Sequence, residues 1–141
     1  MKTPLIQPYL FFNGRCEEAL EFYHATLGAE ILMLVRFKEA PDAPPEGMLP
    51  ADWEEKVMHS RFRIGETNLM ASDGTCQTGG FGGFSLSLTL ADEKEARRVF
   101  IALSEGGAVE MALGETFWSP CYGMLTDRFG LGWMVTVPEE S

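Results

Sequence analysis

A repeated order of elements constrains this chain more than any single motif does. Residues 5–12 (LIQPYLFF) form an apolar run of strand length, and a helix pattern follows, with Cys16, Ala19, Leu20, Tyr23 and Leu27 on one face. Asn13 stands where a capping side chain is expected, and Gly28 where a helix stops. Strands are predicted over residues 29–37, 56–64 and 67–72, the last two joined at Gly65-Glu66, with an acidic, proline-rich loop over 39–52. The order then recurs. Residues 84–90 alternate as a strand, and Asp92 opens a helix with Glu95 placed to complete a capping box. Ala96, Val99, Phe100 and Leu103 make its apolar stripe, Gly106-Gly107 end it, and three closing strands follow. Glu18-Ala19 and Glu95-Ala96 correspond at an offset of 77 residues. The expectation is an α+β fold of duplicated βαβββ modules in one domain, module one over about 4–73 and module two over about 84–138.

Composition limits the partners. A chain of 141 residues, 45% hydrophobic, is long enough to bury a core. A net charge of -10 repels phosphate backbones, so no nucleic-acid partner is expected. No apolar run reaches membrane-spanning length, and the N-terminal apolar stretch reads as a strand, not a signal peptide. Cys16, Cys76 and Cys121 are odd in number and form no CxxC pair, which favours reduced thiols in a cytoplasmic protein over a disulfide or zinc framework. The glycine-rich residues 72–83 lack a following Gly-Lys-Ser/Thr and lead into a strand, so a loop is expected there and not a phosphate cradle. Nor does a glycine-rich turn of the kind that holds a methyl donor follow a strand ahead of a helix.

Strand phase singles out the chemistry-bearing residues. Val57, His59, Arg61 and Arg63 alternate onto one face of their strand, and Met58, Ser60, Phe62 and Ile64 onto the other, which is expected to pack on a helix. Three uses are open to His59: general base, metal ligand beside Glu115 or Asp127, and ligand contact together with the arginines, whose planar forks suit carboxylate or phosphate. A hydrogen-bonded histidine serving sheet or dimer geometry is the structural alternative, as surface pairing with acids is for Arg61 and Arg63. Gln7 and Tyr9 share a face of the first strand, and Ser85 and Ser87 one of the fifth. The segment 115–123 (ETFWSPCYG) joins Glu115, a candidate acid or base, to Trp118 and Tyr122, which suit a flat or apolar ligand. Asp127 is expected to bond turn amides.

The stretches PYLFFNGRCEEALEFYHATLGAE (8–30), HSRFRIGETNLMASD (59–73) and ETFWSPCYGMLTDRFGLGWMVTV (115–137), with the repeated element order, resemble the PhnB-like branch of the glyoxalase/bleomycin-resistance/extradiol-dioxygenase superfamily. The resemblance implies a cup-shaped sheet in each module with the helix outside, a small-molecule site on the concave face, and a homodimer. It places the superfamily's metal-ligand positions at Gln7, Met70, Ser85 and Met134. Only Gln7 is a ligand type those metalloenzymes use, so no metal site is assigned, and a divalent ion remains a possibility of the family only. The implied function is an enzyme acting on a small polar or anionic metabolite, with His59 and Glu115 as catalytic candidates and Gln7, Tyr9, Arg61, Ser85, Ser87, Trp118 and Tyr122 as ligand contacts. The alternative is a non-catalytic protein that sequesters a small molecule, as bleomycin-resistance relatives do.

Overall fold

Each half of the chain winds one helix against one face of a four-stranded sheet. The computed structural model describes residues 3–39, 53–74 and 80–138. In the first half these form β1 (Tyr9–Phe11), α1 (Cys16–Leu27), β2 (Glu30–Arg36), β3 (Val57–Ile64) and β4 (Thr67–Ser72). The second half gives β5 (Leu86–Thr89), α2 (Glu93–Ser104), β6 (Ala108–Gly114), β7 (Cys121–Thr126) and β8 (Gly132–Val137). Short 3-10 turns cover Phe37–Glu39 and Trp53–Glu55. The sheet orders are β1-β4-β3-β2 and β5-β8-β7-β6. In both, the first strand runs parallel to the fourth and the remaining pairs are antiparallel. The chain divides into two compact units at residues 1–78 and 79–141. Most of the acidic, proline-rich loop, and Cys76 with the middle of the glycine-rich loop, lie outside the described residues.

Alternation explains which face each helix covers. Leu10, Phe12, Ser60, Phe62, Leu69 and Ala71 are buried beneath α1, whose Ala19, Leu20 and Tyr23 are fully enclosed. The Tyr23 and Phe62 rings stack with centroids 6.4 Å apart. In the second unit Leu125, Trp133 and Val135 meet Ala96, Val99, Phe100 and Leu103. Gly123 is small for a reason: an added Cβ would lie 2.8 Å from the Phe100 ring.

Several sequence expectations need correction. β1 is three residues long, so Gln7 precedes it; β4 supplies parallel partners only for Tyr9–Phe11, and Leu5 and Ile6 are exposed. β5 begins at Leu86, leaving Ser85 before it. Asn13 does not cap α1: the N-cap is Arg15 without a side-chain bond, and Asn13 sits at φ 51°. The helix's free amides go instead to Asp73, whose Oδ1 accepts from Gly14 N at 2.8 Å and Cys16 N at 2.7 Å. Asp92 does cap α2, accepting from Glu95 N at 2.8 Å, but the Glu95 carboxylate turns to Arg98, so the reciprocal half of the capping box is not made. Val57 departs from the face assigned to it: a bulge between the Val35–His59 and Arg36–Val57 pairs turns it inward, 1% exposed.

Candidate functional site

The face of each sheet turned away from its helix carries the chemistry, and strand register sets which residues lie side by side. In the first unit Tyr9, Met70, Arg61 and Met33 make one row across the four strands, because each is the Cα partner of the next. His59 stands one alternation along β3, opposite Val35. Tyr9 reaches over β4 and places its Oη 3.0 Å from His59 Nδ1. Its ring also stacks on Phe11 at 4.9 Å. A phenol donating to Nδ1 leaves the ring hydrogen on Nε2; a protonated imidazole reverses the bond, with Nδ1–H donating to Oη. Either way Nε2, which bonds none of the described residues, is the atom placed to meet a ligand.

The two arginines of β3 differ. Arg63 pairs with Glu30 at 2.7 Å. Arg61 is exposed and has no acidic partner among the described residues. Gln7 is half-buried just before β1.

The remaining sequence candidates belong to the second unit. Ser87 is in register with Met134, and Thr89 with Thr136; Ser85 and Ser87 are exposed. Trp118 packs edge-on between Phe117, at 4.7 Å, and the buried Tyr122, at 5.3 Å. Glu115 is exposed. Asp127 is consumed by the turn: Oδ1 accepts from Phe129 N and Leu131 N, and Oδ2 accepts from Trp133 Nε1 at 2.9 Å.

One cluster escaped the sequence. A polar cavity of about 310 Å³ opens near the start of α1, lined by Gly14, Glu17, Arg36, Glu55, Lys56, Val57 and Asp73. Its groups are engaged with one another. Arg36 donates to Glu17 at 2.7 Å and to the Glu55 carbonyl, Lys56 Nζ donates to Gly14 O, and Val57 N donates to Asp73 Oδ2 at 2.8 Å. The Arg36 bond holds the Glu17 carboxyl below its ordinary range. The buried Cys16 thiol nearby is pushed up to about 12, first by desolvation and then by the Asp73 charge. With donors and acceptors matched in this way, the cluster serves to join α1 to β3 and β4. No sequence signal marks the cluster, because nothing local distinguishes a carboxylate that folding will bury.

Two four-stranded sheets of one order, each backed by a helix, define the glyoxalase/bleomycin-resistance/dioxygenase fold class. A domain of that class from Frankia sp. matches with a TM-score of 0.66 over 99% of this chain and 100% of that one, at 10% identity, a likeness of fold alone. Within the class, residues 4–136 match the family described as 3-demethylubiquinone-9 3-methyltransferase, so the chain belongs to that PhnB-like family. Protein YjdN of Escherichia coli K12 is 36% identical, with 96% of each chain covered. The crystal structure of PA1353 from Pseudomonas aeruginosa is 44% identical, covers 98% of this chain and 100% of its own, and gives a TM-score of 0.85. A PhnB protein from Bacillus cereus is 28% identical, with 95% and 99% covered and a TM-score of 0.79.

The resemblance drawn from the sequence would put metal-ligand positions at Gln7, Met70, Ser85 and Met134. An amide, two thioethers and a hydroxyl do not fit a hard divalent ion, which calls for imidazole and carboxylate donors. Among the described residues no three His, Cys, Asp or Glu side chains gather in metal-binding geometry.

Proposed function

We propose that the protein captures a small anionic molecule on the open face of its first module. Arg61 supplies the counter-charge, His59 Nε2 a polar contact, and Tyr9 with Phe11 an aromatic wall; Gln7 adds an amide at the edge. One observation carries the reading: the Tyr9–His59 pair at 3.0 Å lies beside an arginine that no described acid neutralises. A guanidinium that no described acid engages is a ready anion contact. In the second module Ser85, Ser87, Trp118 and Tyr122 are the contacts for an apolar or flat ligand. Sequestration needs no metal and no activated water, so it agrees with a donor set unsuited to a hard ion.

A catalytic reading keeps the same residues. Tyr9 engages Nδ1, so Nε2 is the atom with which His59 exchanges a proton, and Glu115 is the second acid–base candidate. The test is titration of inorganic phosphate and small carboxylates followed by imidazole and amide NMR signals. His59→Ala and Arg61→Gln are expected to weaken the bound anion at least about tenfold while leaving the melting temperature nearly unchanged. Loss of stability with unchanged affinity, or no probe perturbing His59, refutes the proposal. We place the chain as a homodimer in a reducing cytoplasm. Exposed Ile31, Leu32, Val109 and Phe117 support pairing, and the free thiols of Cys16 and Cys121 support the compartment.

A further inference from the structure

We infer that the open face of the second module carries a soft, monovalent metal site formed by the thioethers of Met111, Met124 and Met134. Register brings them together: Met111 is the Cα partner of Met124, and Met124 of Met134, one on each of β6, β7 and β8. Antiparallel partners stand roughly 4.5–5.5 Å apart at Cα, and an unbranched methionine side chain is long and flexible enough for three sulfurs to close on one ion. Core filling does not account for the row. Most buried residues of these strands, among them Leu125, Trp133 and Val135, point to the other face, against α2; Tyr122, 9% exposed, shares the face of the row. Met124 and Met134 are only half-buried, and Met111 is 44% exposed.

A bulge in β6 contributes, because it turns two successive residues the same way: Met111 pairs with Met124 while Glu110 accepts a bond from Thr126 Oγ1 on that face. Glu110 is therefore already engaged. The donors left are neutral and polarisable, which selects Cu(I)-like ions over Zn²⁺, Ni²⁺ or Fe²⁺. The chain's net charge of -10 favours a cation at its surface.

The experiment uses Ag(I), a redox-inert soft ion, with full-length protein carrying Cys76→Ser and ¹³C-labelled methionine methyls. Cys16 and Cys121 are 0% and 2% exposed and out of reach. Of the eight methionines, Met111, Met124 and Met134 are expected to shift together and saturate at one equivalent, with Met33, Met58 and Met70 unmoved. Met124→Leu should weaken Ag(I) at least about tenfold, since even outer contacts of a metal site are worth that much. Zn(II) should move none of the three. Shifts spread over all methionines, an equal response to Zn(II), or undiminished binding by Met124→Leu overturns the inference. If that variant melts early, the shift pattern of the parent decides alone. His59→Ala should leave Ag(I) binding intact, so failure of the anion proposal and failure of this one are told apart.

Discussion

Asp73 shows how much one buried side chain can organise. It is 1% exposed and accepts from three backbone amides, Gly14, Cys16 and Val57, drawn from two separate segments. Asn in its place turns an NH₂ toward an amide that needs an acceptor, so Asp73→Asn is expected to cost about 2–3 kcal/mol by urea unfolding. Cys16 sits against that charge. Its thiol rises from 9.0 to about 12, so the fold favours the protonated form. The contribution is whole below pH 9 and is lost as pH climbs toward 12, because the unfolded thiol ionises first. Native protein at pH 8 should therefore resist iodoacetamide at Cys16, while urea-unfolded protein reacts, as mass spectrometry of the peptide would show. Cys16 is legible as part of the apolar face of α1, but Asp73 is not; only folding brings it to the start of that helix.

Among the elements, the two helices were the most legible, because a 3.6-residue apolar period is local information. Ala19 and Ala96, equivalent by the repeat, are both 0% exposed. Valine at either should overpack its helix–sheet contact and lower stability by about 1–3 kcal/mol in thermal melts. Helix stops are legible too, whereas one helix start is not, since Asn13 does not cap α1. Gly28 does terminate α1 in the left-handed conformation at φ 70°. Gly106-Gly107 do end α2: the helix closes at Glu105, Gly106 is left-handed at φ 81° and Gly107 N donates to Ser104 O; Gly107 has a second, distant constraint, since an added Cβ would lie 2.1 Å from the Thr126 carbonyl oxygen. Gly107→Ala therefore meets backbone, which cannot step aside as a side chain would. A loss of about 3 kcal/mol or more is expected in chemical denaturation. β1 and β5 came out shorter than their apolar runs because a strand extends only as far as its partner does.

At the scale of the whole molecule, the duplication dictated the architecture. Two units with one strand order arise from two copies of one element order. Static light scattering should give about twice the 15.7 kDa chain mass, and dilution should then lower the melting temperature, as the proposed homodimer requires.

The sequence by itself determined the repeat, the helices, the two faces of most strands and the family, because all of these rest on spacing along the chain. Tertiary structure alone decided which residues became neighbours across strands. Pairing register put Tyr9 against His59, left Arg61 without an acid among the described residues while Arg63 found Glu30, and lined up Met111, Met124 and Met134. Register depends on hydrogen bonds between residues far apart in the chain, and one bulge reverses a side chain's face, so no local pattern contains it.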